Sequence, residues 1–195
     1  MKKKLILVAA PPACGKNYVS ERICQALDCV AYLDKDDLSE LLRRCFTLCS
    51  EECDMDGEFY AQNLRPYEYK TLLRLAFSAL QFEKLVLVNA PLSKEVRSEE
   101  FMRGLRDKAN GLGAELVLIW VTAPIEICHK RMRERNCDRD RLKLAQWEEY
   151  VKKIDYSAPV CLKEKGAIDE FILFNNENEQ TFLSSLQQTL TILKA

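Results

Sequence analysis

The chain has very little histidine, no excess of either charge and no long apolar run. His129 is the only histidine in 195 residues. It lies far in sequence from the Cys45, Cys49 and Cys53 series, and no CxxC spacing occurs, so a zinc-type centre is not expected. Twenty-nine Lys and Arg balance thirty Asp and Glu. That balance argues against an obligate nucleic-acid coat protein, although a local basic cluster can still bind phosphate. No apolar stretch approaches the roughly 18–20 residues a membrane span needs. There is no Gly/Ser linker, internal repeat or low-complexity tract, so the whole length, 1–195, reads as one domain.

Nine cysteines are present. An odd number spread through the chain is not a disulfide framework. They read as free thiols in a reducing, cytoplasmic setting. Cys45, Cys49 and Cys53 recur at every fourth residue, which predicts one helical face. Met1 to Lys4 followed by Leu5–Ala10 resembles a signal peptide, with Pro11 to Cys14 as a loose lipoprotein cleavage site. The apolar part is shorter than the roughly 7–15 residues a signal requires, so none is expected.

Short apolar runs alternate with helical periodicity. Leu5–Ala10, Cys29–Leu33, Leu85–Val88, Leu116–Val121 and Phe171–Phe174 read as strands, the fourth being the most apolar and the expected centre. Asn17–Leu27, Leu38–Cys49, Pro66–Phe82, Glu99–Ala109, Pro124 to about Arg135, Lys143–Lys153 and Thr181–Lys194 read as helices. Such alternation predicts a parallel sheet covered on both faces. No strand is expected between about 41 and 82, which reads as a helical insertion on the substrate side.

Ala10-Pro-Pro-Ala-Cys-Gly15-Lys16-Asn17 sits between a strand and a helix, the setting in which a Walker A loop works. Backbone N–H groups and the helix N-terminus attract phosphate, and Lys16 reaches the β and γ phosphates. Pro12, Ala13, Cys14, Gly15, Lys16, Asn17 and Tyr18 are the candidate ATP contacts. Ala10 replaces the usual first glycine. Asn17 replaces the hydroxyl that helps hold Mg²⁺, and an amide oxygen is the poorer donor. Cys14 is expected to carry a stabilised, oxidisable thiolate, protected by ATP.

Asp34, Asp36 and Asp37 follow the second strand, at the sheet edge where ligands bind. Asp34 or Asp36 is expected to orient or deprotonate a hydroxyl, and to assist Mg²⁺. Asp37 is expected to cap the next helix. The third strand ends at Asn89, where a Walker B acid would stand. Arg97 is a candidate for a substrate phosphate or acid. Arg131 and Arg135 share a helical face, and Arg139 lies just past the break. Together they suit the charge that grows during phosphoryl transfer. A solvated helix salt-bridged to Glu134, Asp138 and Asp140 is the alternative.

The loop, Leu33-Asp-Lys-Asp-Asp-Leu38, Val88-Asn-Ala-Pro-Leu92 and Arg131-x3-Arg135-x3-Arg139-Asp140-x2-Lys143-Leu-x2-Trp147-x2-Tyr150 resemble the AAA-type ATP-binding kinases of the zeta-toxin and polynucleotide-kinase-like group. The resemblance covers about residues 4–156. It implies a three-layer α/β/α P-loop fold with a mainly parallel five-stranded sheet and a helical lid at about 129–143. It implies ATP and Mg²⁺ as cofactors, Lys16 on the phosphates, Asp36 as base and Mg²⁺ contact with Asn17, and Arg131, Arg135 and Arg139 as lid arginines. Arg135 also approaches the nucleotide, and Asp34 the substrate. The implied activity is transfer of the γ-phosphate to a hydroxyl of a small molecule or nucleotide. Ser39 stands where polynucleotide kinases tend to carry an arginine, so a nucleic-acid acceptor is not favoured. A nucleotide-binding switch without transfer is the competing class, suggested by Asn17 and Asn89.

Overall fold

The computed structural model describes residues 2–137 and 140–195. Five strands form one sheet: β1 (Lys3–Ala9), β2 (Val30–Asp34), β3 (Leu85–Asn89), β4 (Ala114–Thr122) and β5 (Glu170–Asn175). All pairs are parallel, in the order β2-β3-β1-β4-β5. The middle strand is therefore β1, not the expected Leu116–Val121 segment. β4 is interior too, between β1 and β5. Both strands are covered on both faces, so apolarity does not rank them; connectivity does.

Alternating side chains divide the core into two halves. Leu5, Leu7, Val86, Val88, Leu116, Leu118 and Trp120 face one layer. Helices α3 (Arg65–Phe82) and α4 (Glu99–Gly111) cover that layer. Tyr69, Leu72, Leu73, Ala76 and Leu80 make the stripe of α3, at the three- and four-residue spacing of one helix face. Ile6, Val8, Leu85, Leu87, Val117, Ile119, Ile172 and Phe174 face the other way. They meet Val19 and Ile23 of α1 (Lys16–Gln25), Cys128 of α5 (Ile125–Arg135), and Phe182 and Leu193 of α9 (Glu179–Lys194). The three-layer α/β/α arrangement is thus present, with α3 packed on the sheet.

A smaller apolar cluster joins Leu42 and Phe46 of α2 (Ser39–Leu48) to Tyr60. Tyr60 begins a π-helical turn, Tyr60–Leu64, which leads into α3 with Pro66 in its first turn. Helix α2 ends at Leu48 with Cys49 as its C-cap, so Cys53 does not share the predicted face. All nine cysteines are free, and no metal-holding cluster of His, Cys, Asp or Glu occurs among the described residues.

Helix α5 stops at Asn136, whose left-handed φ of 43° ends the turn. The expected single helix over Lys143–Lys153 is instead α6 (Arg141–Ala145) and α7 (Trp147–Lys153), broken at Gln146. A short α8 (Cys161–Glu164) precedes β5. Among the described residues, no helix is long and apolar enough to cross a membrane.

Candidate functional site

Strand β1 leads to a helix on one face of the sheet and β3 to a helix on the other. The crevice opens where those connections diverge, beyond the carboxyl ends of the two strands. The expected phosphate loop, the carboxylates after β2, and Asn89 all converge there.

The loop leaves β1 through Ala10 and enters α1 at Lys16. It turns through two left-handed residues, Ala13 at φ 63° and Gly15 at φ 87°. Gly15 adopts this at no steric cost, whereas a non-glycine such as Ala13 is held there by its surroundings. Among the described residues, the N–H groups of Gly15, Lys16, Asn17 and Tyr18 have no acceptor. They are the unsatisfied donors of a helix start, which make an anion site.

Lys16 lies over a polar network at the sheet edge. Its Nζ donates to Asn89 Oδ1 at 2.5 Å and to Asn17 Oδ1 at 2.9 Å. Burial pushes the Lys16 ammonium down to about 8, against the opposing pull of Asp34 and Asp36. Ser20 Oγ also donates to Asn89 Oδ1, at 3.0 Å. The Asn89 amide in turn donates to Asp34 Oδ2 at 2.6 Å, Tyr32 Oη at 2.9 Å and Asn17 Oδ1 at 3.1 Å. Asp34 and Asn89 are register partners on β2 and β3. A carboxylate therefore does stand beside the Walker B position, one strand over.

The acids after β2 have different surroundings. Asp34 accepts from Asn89, from Tyr32 Oη at 2.8 Å and from the Asp36 N–H at 2.9 Å. It caps the 3-10 turn Lys35–Leu38, and α2 then starts at Ser39 without a side-chain cap. The capping role expected of Asp37 belongs to Asp34, because the chain turns at the strand end and Asp36 offers the first unpaired N–H. The Asp36 side chain is 55% exposed, with Lys35 Nζ at 3.6 Å. Lys35 is also held by Glu68 Oε1 at 3.0 Å. Glu68 is buried on α3 and accepts a 2.5 Å bond from Tyr60 Oη.

Cys14 departs from expectation. It is 1% exposed, its side chain packs into the core, and its Sγ lies 3.6 Å from Cys128 Sγ. The contact with Cys128 and burial push its thiol up, not down. The loop carries the expected N–H donors, but at this residue the side chain points away from them into an apolar layer.

The arginines are engaged with protein groups. Arg131 donates to the Asn176 carbonyl at 2.8 Å and to the Cys14 carbonyl at 3.3 Å. Arg135 donates through Nε and Nη2 to Oδ2 of the buried Asp140, both at 2.6 Å. Arg139 lies outside the described residues. Arg97 is 2.8 Å from Asp155, donates to the carbonyls of Asp155 and Ser157, and lies over the Trp120 ring. Tyr18 is half exposed on α1, with its ring 5.1 Å from that of Phe182.

Tyr32, Ser20 and Asn176 were not singled out from the sequence. Tyr32 and Ser20 join the site through strand order and helix facing. Asn176 is 162 positions from the loop residue it touches. Only the run Asn175-Asn176-Glu177-Asn178, polar and directly after a strand, marked it.

A model of the AAA domain family matches residues 5–156. No curated protein matches the chain. Several solved structures share its fold. Kti12 of Chaetomium thermophilum, in complex with ADP-AlF3, is 14% identical at a TM-score of 0.59, covering 96% of this chain and 97% of that one. The tunicamycin resistance protein of Deinococcus radiodurans is 14% identical at 0.59, covering 98% and 96%. The Mycobacterium tuberculosis APS kinase CysC, in complex with AMPPNP and APS, is 18% identical at 0.53, covering 100% and 99%. With a loop of open N–H donors at the end of β1, a lysine behind it and a family match over most of its length, the chain belongs to the AAA domain family, in its P-loop kinase-type group.

Proposed function

We propose that this protein is an ATP-dependent phosphotransferase that moves the γ-phosphate to a hydroxyl of a small molecule or nucleotide. One observation carries the reading. The donor cradle of Gly15 to Tyr18 and the exposed Asp36 carboxylate open on the same crevice, with Lys16 behind both. Anion binding and proton acceptance are the two tasks such a transfer requires.

Loop N–H groups and Lys16 hold the β and γ phosphates. Asp36 takes the proton of the acceptor hydroxyl as its oxygen bonds to phosphorus. The bond from phosphorus to the bridging oxygen breaks, and that oxygen leaves with ADP. Asp34 accepts three hydrogen bonds in the structure and so acts by placing Asp36 and Asn89. Arg135 and Arg139 would meet the growing charge, and Arg131 braces the loop. Asp34 and Arg97 flank the acceptor side.

Mg²⁺ fits the donor set. Asn17 Oδ1 accepts from Lys16, and the Asp34 and Asp36 carboxylates act on the same ammonium; these hard oxygens are too few to hold the ion alone and adequate once phosphates share it. When bound, it would neutralise phosphate charge. The helices between about 41 and 82 form the acceptor side of a single domain, and the segment at about 129–143 forms the lid. The setting is cytoplasmic. Nucleic acid is a less favoured acceptor.

A second reading is a nucleotide-binding switch without transfer. Asn17 and Asn89 favour it, because both standard Mg²⁺ side chains are amides here. Incubation with γ-labelled ATP, a metabolite pool and RNA separates the readings. Label in a small product supports the kinase. ATP binding with no label in any product supports the switch, and label in RNA redirects the acceptor to nucleic-acid ends.

A further inference from the structure

The peptide linking Cys14 to Gly15 decides which polar group faces a bound phosphate. A trans peptide points its carbonyl and its N–H in opposite directions. If the Cys14 carbonyl turns away from the cradle, the Gly15 N–H turns into it. If that peptide flips, a carbonyl oxygen faces the phosphate instead and repels it. Glycine at position 15 makes the flip sterically accessible, since it tolerates either sign of φ. Something outside the loop must therefore set the orientation.

Two donors hold the Cys14 carbonyl. The Asn176 side-chain amide donates to it at 2.8 Å, and Arg131 Nη1 at 3.3 Å. The donors are joined to each other, because Arg131 Nη2 donates to the Asn176 carbonyl at 2.8 Å. Asn176 is itself anchored: its own N–H donates to the Thr122 carbonyl at 2.8 Å, extending the β4–β5 ladder by one residue. Its side chain is buried, with the residue 5% exposed. The fit against the loop is close, and a Cβ added at Gly15 would collide with the Asn176 amide. On the far edge of the peptide, the Gly15 N–H has no acceptor among the described residues.

We infer that Asn176 is a positioning residue of the nucleotide site. Its amide locks the Cys14–Gly15 peptide with the N–H facing the phosphates, and Arg131 shares the carbonyl. The inference rests on the proposed nucleotide site and adds a residue to it. Asn176 acts through the loop backbone and needs no contact with the nucleotide. The asparagine amide supplies a donor to the buried carbonyl without bringing charge into the layer.

Removing the shorter of the two hydrogen bonds to the Cys14 carbonyl leaves the 3.3 Å bond from Arg131 as its only anchor among the described residues and should weaken binding by about 10-fold. Asn176→Ala should raise the Kd of ATP and of ADP by about 10-fold, and leave adenosine binding unchanged, because only the phosphates meet the Gly15 N–H. Asn176→Asp keeps the volume but sets an acceptor against the Cys14 carbonyl, so it should bind ATP no better than Asn176→Ala. Calorimetry with the three ligands reads this. Amide hydrogen exchange without nucleotide reads the lock directly: the N–H groups of Cys14, bonded to the Pro11 carbonyl, and of Val19, bonded to the Gly15 carbonyl, should exchange faster in both variants, while α9 keeps its protection.

Equal weakening of ATP and adenosine would overturn the inference, as would wild-type ATP affinity in Asn176→Asp, or unchanged exchange at the Cys14 and Val19 amides. If Asn176→Ala does not fold, the Asn176→Asp comparison and its exchange pattern still decide. If the wild-type protein binds no ATP, the functional reading fails, and the exchange experiment continues to test the lock.

Discussion

The floor of the crevice and the segment proposed as its lid are both rich in polar groups, yet they are built differently. On the floor, Lys16, Asn17, Ser20, Tyr32, Asp34 and Asn89 satisfy one another in one network, while the N–H groups of Gly15 to Tyr18 have no acceptor among the described residues. On the lid side, cations pair with carboxylates: Arg135 with Asp140, Lys143 with Asp56 and Lys130 with Glu134. The floor is preorganised for an anion, as electrostatic catalysis requires. On the lid side, Arg135 must exchange Asp140 for phosphate in order to act.

The largest expected effect tests the floor's chemistry. Asp36→Asn should lower phosphoryl transfer by about 100- to 10,000-fold and leave ATP affinity nearly intact, since a base acts mainly in the transition state. Single-turnover kinetics with labelled ATP measures it. Full turnover in that variant would move the proton acceptor to another group.

Lys16→Ala comes next. Loss of a charged hydrogen bond should raise the Kd for ATP by about 10- to 100-fold, measured by calorimetry. A comparable loss on Arg135→Ala would erase the contrast between preorganised floor and self-paired lid.

The lowered Lys16 pKa gives the floor a pH signature. With the ammonium at about 8 before nucleotide binds, phosphates should raise it on binding. ATP binding should therefore take up a proton above pH of about 8, and affinity should fall by about tenfold per unit there. Calorimetry in buffers of different ionisation enthalpy checks the uptake. Proton uptake persisting in Lys16→Ala would assign the signature elsewhere.

The smallest effect belongs to the lid. Arg135→Ala leaves Asp140, a buried carboxylate, without that partner. With Arg135 partly exposed, the cost should be about 1–3 kcal/mol. For a chain this long, that is a fall of about 2–4 °C in melting temperature per kcal/mol. Arg133→Ala, at an exposed position on the same helix, should not shift the transition in a thermal scan.

Local patterns made much of this legible. The strand–loop–helix setting of Gly15-Lys16 is contiguous, and the acids after β2 follow a strand end directly. Roles within those groups were harder to read. Whether Asp34 or Asp36 stays exposed depends on Asn89, which reaches Asp34 only because β2 and β3 are neighbours. The Cys14 thiol looked activated by helix and lysine, yet burial and Cys128 reverse the direction.

Sequence alone determined the parallel sheet, the phosphate loop and the positions of the acids, because periodicity, turn residues and strand ends act over a few neighbouring residues. Tertiary structure alone decided that β1 is the centre, that Asp34 stands in beside Asn89, that Arg135 is held by Asp140, and that Asn176 closes on Cys14. These contacts join segments far apart in the chain, and their geometry follows from strand order and the packing of helices on a common sheet.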